Sequence, residues 1–303
     1  MTTSVQGKNL NQDTPVVNLH DESVSHGSRR FVRAFLRNRI AVIGLVIVAI
    51  MVFAALFGPN IAPYNPNKTS SGDRLQPPGS EFFLGTDEFG RDIVSRLLYG
   101  ARVSLEVAFI AQTISVVIGI AMGLISGWYG GWIDDAIMRL TDALFALPSL
   151  VFLIVWVSIL EPSKQSIFLS LGLIGWASVA RMMRSQVLVL KELDYVTAAR
   201  ALGATPPQIM MRHILPNGLA PVIVLASLGV AGVILAESGL SFLGLGVQIP
   251  NPSWGSMIDT GRNYFTNAWW YAIFPGVTIM ITVLGFNFVG DGLRDALDPK
   301  QYD

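Results

Sequence analysis

IAVIGLVIVAIMVFAALF, residues Ile40 to Phe57, decides the fold class. It holds 18 apolar residues with no charge and no proline. As a helix rising 1.5 Å per residue it would cover about 27 Å, close to the hydrocarbon thickness of a bilayer. The rival reading is a signal peptide. The run is longer than a usual signal core, and the polar stretch before it is too long. It therefore reads as a first transmembrane helix. Just upstream, RRFVRAFLRNR (Arg29 to Arg39) sets five arginines among Phe31, Val32, Phe35 and Leu36. A basic amphipathic segment beside a hydrophobic run suits the cytoplasmic membrane surface. Residues 1–28 are polar and aperiodic, and read as a disordered cytoplasmic tail.

The rest of the chain agrees with a membrane protein. Of 303 residues, 51% are hydrophobic and 14% charged, and the mean hydropathy is +0.51, well outside the soluble range. Zero formal net charge gives no electrostatic case for nucleic acid. With no cysteine, disulfides, thiolate metal sites and a cysteine nucleophile are excluded. Further spans are expected at Val103 to Ser126, Ala136 to Leu160 with a kink at Pro148, Ser166 to Met183, Pro216 to Ala236 and Trp269 to Val289. That makes six helices in an all-α polytopic fold, residues 102–291 forming a five-helix core. Gly119 and Gly123 make GxxxG, a close helix crossing. Trp128, Trp132, Trp254, Trp269 and Trp270 lie near span ends, as an aromatic belt would.

With both termini inside, the inner segments carry 14 Lys and Arg against 7 in the outer ones. The positive-inside rule therefore places both termini, and the tail at 292–303, in the cytoplasm. Residues 58–101 form an extracytoplasmic segment in which Asp87, Glu88, Arg91, Asp92 and Arg96 read as a solvated, salt-bridged cluster rather than a catalytic or metal site. Residues 239–268 are too apolar for a plain loop and too rich in Gly and Pro for a span. They are expected to dip into the outer leaflet or cap the outer mouth.

YVTAARALGATPPQIMMRHILPN, Tyr195 to Asn217, is a polar interlude within a loop at 194–217. Tyr195, Ala198, Ala199 and Leu202 recur at helical spacing and make a face of mostly small side chains. Gly203 fits a helix C-cap. Thr205-Pro206-Pro207-Gln208 has the residues of a capping box with proline in the first turn. Pro216 stops the second helix or bends it into the next span. Periodicity alone favours an ordinary amphipathic connector, with a knob for a helix-in-groove contact as the alternative.

This stretch resembles the cytoplasmic coupling loop of ABC-type importers, a Glu-Ala-Ala motif followed at fixed spacing by Gly and then by Ile-x-Leu-Pro. Ala198, Ala199, Gly203, Leu215 and Pro216 match. Thr197 stands in place of Glu and His213 in place of Ile, His213 reading as a packing or capping residue. FLGTDEFGRDIVSRLLYGAR (Phe83 to Arg102) and ESGLSFLGLGVQIPNPSWGSMI (Glu237 to Ile258) resemble segments of permeases in the dipeptide, oligopeptide and nickel importer family, of the subfamily that pairs with a second, different permease. The resemblance implies a permease subunit at the cell membrane that moves peptides handed over by an extracytoplasmic solute-binding protein. Its partners would be a second homologous permease, two ABC ATPase subunits and membrane lipid. The ATPase-coupling residues would be Tyr195, Ala198, Ala199, Leu202, Gly203, His213, Leu215 and Pro216. An outer gate would fall at Leu240, Ser241, Phe242, Leu243, Gly244, Leu245 and Gly246.

No catalytic residue, metal or cofactor is expected on this chain. It has no GxxxxGK[ST] loop to cradle ATP phosphates and no G-x-S-x-G elbow, so ATP and Mg would sit on the partner ATPases. The alternative function is an ion-coupled secondary transporter or channel, which needs ionisable residues at a midplane cavity. The charged candidates for that role are Glu106, Asp142 and Glu237, all near span ends.

Overall fold

A computed structural model describes residues 31–248 and 250–297. The expected tail at 1–28 and the last residues of the tail at 298–303 lie outside the described residues. The described chain is helical: α1 Arg39–Ile61, α2 Ile93–Tyr129, α3 Gly131–Ala146, α4 Ser149–Leu160, α5 Lys164–Leu190, α6 Asp194–Ala201, α7 Pro206–Ile209, α8 Leu215–Phe242, α9 Trp254–Arg262 and α10 Trp270–Leu297. Five stretches are long and apolar enough to cross a membrane: α1, α2, α5, Pro206–Phe242 and α10.

The expected third span is not one helix. α3 and α4 meet at 94°. Leu147 is extended and Pro148 precedes α4. A residue before proline is pushed out of the helical region, which ends α3, and proline is free to start the next helix. α4 holds 12 residues, about 18 Å, too short to cross a bilayer alone. Two of the three acidic residues of α3 are paired: Asp134 with Arg184 at 2.5 Å, and Asp142 with Arg181, both on α5.

α2 is the hub. Its most extensive contact is with α5, and glycine makes that contact possible. A Cβ on Gly123 would meet the Ala180 carbonyl and Met183 Cβ at 2.6 Å, and one on Gly119 would meet Val179 at 2.4 Å. Gly127 extends the stripe against Val187. α1 and α10 close up in the same way, with Gly44 of α1 on Phe288 and Gly285 of α10 on Ile47. Asn38 caps α1, its Oδ1 accepting from the Ile40 and Ala41 N–H groups, while its Nδ2 donates to Asp295 at 3.0 Å. Residues 31–37 are helical, and Phe35 tucks in beside Ala41 and Ala296. The expected cytoplasmic tail thus begins inside α10.

The segment between α1 and α2 departs from the expectation of a solvated cluster. Asp87, Arg91 and Arg96 are buried. Asp87 Oδ2 takes Arg91 Nε at 2.5 Å and stands 3.3 Å from Arg96 Nε. Arg91 also reaches Glu88 at 3.1 Å, and Arg96 donates to the Pro66 carbonyl. Buried charge is tolerated when it is paired, and each of these side chains has an opposite charge beside it, although Arg96 Nε and Glu88 Oε2 make no hydrogen bond. Two of the expected belt tryptophans are also internal. Trp254 is fully buried and donates its indole N–H to the Leu97 carbonyl, and Trp270 is buried and reaches the Thr86 carbonyl. Trp132 and Trp269 are exposed.

Candidate functional site

The polar interlude folds as an elbow at one end of the bundle. α6 starts with Asp194 in its first turn and carries Arg200 in its last, each opposite in sign to the helix-dipole end it occupies. Gly203 then takes φ +84°, a region that glycine enters without a Cβ penalty. The Gly203 N–H donates to the Arg200 carbonyl and the Ala204 N–H to the Ala199 carbonyl. This is a Schellman end, and the expected C-cap at Gly203 is present. The chain restarts at Thr205, whose N–H donates to Gln208 Oε1 at 2.9 Å. Pro216 does not stop the second helix. α7 runs through a single π turn, Met210–Ile214, in which the Leu215 N–H reaches back to the Met210 carbonyl. Pro216 then sits in the first turn of α8, where its missing N–H costs little. The side-chain amide of Asn217 donates to the His213 carbonyl.

Which side of the elbow faces inward decides what it can do. Val196, Ile209, Met210 and Ile214 are buried with Leu124, Val179, Met183, Val187 and Val222. Ala199 packs against that same cluster. The expected small-residue face therefore splits: Ala199 turns toward the chain's own core, while Ala198 is exposed, Tyr195 is 40% exposed and Leu202 is 90% exposed. Leu193 and Met211 are exposed beside them. His213 is half-buried with its ring 6.2 Å from that of Tyr195, Leu215 is half-buried and Pro216 exposed. Val196 was not singled out by the sequence, although it stands about 100° round the helix from Tyr195 and three residues before the inward Ala199. A cation contact ties the elbow to α2, Arg200 lying 4.6 Å over the Trp128 ring, and just before the elbow Lys191 at the end of α5 donates to the Gly127 carbonyl. The result is a held knob with apolar side chains pointing away from the protein.

The expected outer gate lies at the other end of α8. Leu240 and Ser241 are buried in the last turn, while Phe242 and Leu243 are exposed. Gly244 has φ +78°. Its N–H donates to the Ser241 carbonyl, and the Leu245 N–H to that of Leu240, a second Schellman end with Leu240 and Leu245 in one apolar cluster. Gly246 has no room for a side chain, since a Cβ there would lie 1.9 Å from Ser241 Oγ. The chain then returns through α9, a helix of 9 residues, which packs on α10 and α8. Glu237, expected near a span end, is buried there with its Oε1 accepting from Ser241 at 2.8 Å. Its Oε2 is buried and makes no hydrogen bond. Glu106 is held by Lys164, whose Nζ donates to both carboxylate oxygens at 2.8 and 2.9 Å. Among the described residues no group of three or more His, Cys, Asp or Glu could hold a metal ion.

Similarity to known proteins points the same way. Residues 119–301 match the family described as binding-protein-dependent transport system inner membrane component. Residues 28–78 match the N-terminal TM domain of oligopeptide transport permease C. The chain is 48% identical over 278 residues to the dipeptide transport system permease protein DppC of Escherichia coli, covering 90% of this chain and 93% of that one. It is 44% identical over 264 residues to DppC of Alkalihalophilus pseudofirmus, covering 87% of each. The di/tripeptide transport system permease protein DppC of Pseudomonas aeruginosa is 42% identical over 278 residues, 90% of this chain and 92% of that one. A membrane chain of the MetNI methionine ABC transporter in an inward-facing conformation shares the fold, with a TM-score of 0.52 at 20% identity over 66% of this chain and 95% of that one. Helices that span, an elbow held out from their ends and relatives that align along nearly the whole length make this chain a member of the binding-protein-dependent transport system inner membrane component family.

Proposed function

We propose that the chain is one of two permeases forming the pathway of an ATP-driven importer for short peptides, with the elbow docking into a groove on an ATPase subunit. The observation that carries the reading is the exposure of Leu202 and Tyr195 on an elbow whose opposite side is buried in the bundle. Exposed leucine on a rigid, capped turn suits a helix-in-groove contact. The relatives supply the solute class, since several are named for dipeptide or di/tripeptide transport. ATP would be bound and hydrolysed by the partner subunits. An extracytoplasmic binding protein would deliver the peptide at the cap end, and both chain termini would lie in the cytoplasm. Closure of the ATPases would draw the elbows together and rock the bundles between inward- and outward-facing states.

The test is uptake of a labelled dipeptide by proteoliposomes holding this chain with its partner subunits. Uptake should require ATP on the elbow side and binding protein on the other, and should persist when a protonophore collapses the ion gradient. Uptake driven by an ion gradient without ATP would overturn the reading in favour of a secondary transporter.

A further inference from the structure

Two cavities near the cap end share a wall. One is an apolar crevice of about 380 Å³ between α1 and α2, lined by Val52, Ala55, Leu56, Leu105 and Phe109. The other is a basin of about 640 Å³ between α2, the start of α5 and the loop after α8, its wall mixed, with Tyr99, Val103 and Val247 beside Ser163, Lys164 and Gln248. Arg102 and Glu106 line both. From Arg102 to Phe109 is seven residues along α2, about 10 Å of rise. Over that distance the surroundings change from charged to hydrocarbon. The change falls where the apolar part of α2 begins at Val103, the level at which a bilayer passes from headgroup to acyl chain.

The charges are not balanced. Lys164 and Glu106 neutralise each other through their two hydrogen bonds. Arg102 is exposed and has no ion-pair partner among the described residues. The basin therefore offers one spare cation, a second cation shared with a carboxylate, and that carboxylate. A phosphate takes the cations, arginine being suited to it by its fork of donors, and an ammonium takes the carboxylate. A zwitterionic peptide would satisfy the charges too, but its termini have no use for the crevice, into which Leu56 and Phe109 stand exposed. We propose that crevice and basin form one site for a phospholipid with a primary-amine headgroup. The phosphate sits on Arg102 and Lys164, the ammonium on Glu106, and one acyl chain between α1 and α2. The site is independent of the ATPase-docking elbow.

The assembled importer, purified with its partner subunits and exchanged into mixed micelles, is analysed for retained lipid by native mass spectrometry. Dioleoyl phosphatidylethanolamine, phosphatidylcholine and phosphatidylglycerol are supplied in turn. The wild type should retain the ethanolamine lipid in preference to both others. Phosphatidylcholine has no N–H to donate to Glu106, and phosphatidylglycerol has no ammonium. Arg102→Ala should lower that retention roughly tenfold, the scale of one lost charge-assisted contact. Leu56→Trp, which fills the crevice and leaves every charge in place, should lower it as well. Glu106→Gln should narrow the preference over phosphatidylglycerol. Arg294→Ala, at the other end of the bundle, should change nothing. Wild-type retention in both Arg102→Ala and Leu56→Trp overturns the proposal. Displacement of the lipid by dialanine also overturns it, and would reassign the basin to the peptide.

Discussion

Replacing Leu202 with alanine separates docking from folding. Leu202 is 90% exposed, so its side chain contributes little to the stability of this chain, and truncation should change that stability by less than about 0.5 kcal/mol. In a groove the same side chain would be buried. Full burial of a leucine is worth about 1.5–3 kcal/mol, and truncation forfeits most of it, about 2 kcal/mol. That corresponds to roughly 30-fold weaker association with the ATPase. Val196 is the control. It is fully buried under the elbow, so Val196→Ala removes two methyl groups from the core and costs the fold about 2 kcal/mol. The assay titrates purified ATPase against each variant, with retained complex read by size-exclusion chromatography, and records thermal unfolding of each variant alone in detergent. Leu202→Ala should lose the complex while unfolding at the wild-type temperature. Val196→Ala should unfold earlier. Wild-type ATPase retention and uptake in Leu202→Ala would refute the docking argument. Loss of thermal stability in Leu202→Ala comparable to that of Val196→Ala would show that the leucine supports the fold.

Asp87→Asn keeps the shape of the buried cluster but leaves Arg91 and Arg96 short of a counter-charge. The expected cost is about 3–5 kcal/mol, read as a lower unfolding temperature and faster protease cleavage between residues 62 and 92. Gly123→Leu drives a side chain into the backbone of α5, where even a Cβ would approach to 2.6 Å. It should reduce the yield of folded protein, whereas alanine at the exposed Val117 on the same helix should not. In this cysteine-free background, Ser80→Cys should react with an impermeant thiol reagent from outside intact cells, and Gln208→Cys only after the inner face is opened. Both positions are exposed, so labelling of position 208 from outside would invert the proposed orientation.

The spans were legible because a bilayer demands long apolar runs, and such runs survive any detail of packing. The elbow was legible too, because Gly203 and the Thr205–Gln208 box act locally and need no tertiary partner. What sequence hid was what depends on neighbours. Asp87, Arg91 and Arg96 look like water-seeking residues until the loop folds over them, and nothing in their spacing reports that cover. Trp254 sits at a helix start as a belt residue would, yet Gly100 opposite leaves space for its ring. The bend at Pro148 was expected as a kink. Its 94° angle goes with ion pairs from α3 to α5, contacts about 40 to 50 residues away in sequence, which spacing along the chain does not report. Ala199 and Leu202 share a helical stripe in sequence, but only the packed structure separates the buried one from the exposed one.

The unbroken run from Pro206 to Phe242 has a mechanical meaning. Its 37 residues make a rod about 55 Å long, nearly twice the thickness of the hydrocarbon core. One tip carries the elbow and the other ends in the Schellman turn at Gly244. The π turn lies near the elbow tip, so the remaining length can pivot as one lever. Rotating that lever, 28 residues or about 42 Å, by about 5° around its centre moves each tip by roughly 1.8 Å in opposite directions. That is enough to separate packed side chains at one tip while pressing them together at the other, because close-packed surfaces lose most of their attraction within an ångström or two. A small push at the elbow would then be felt at the far side of the membrane without any helix changing its length.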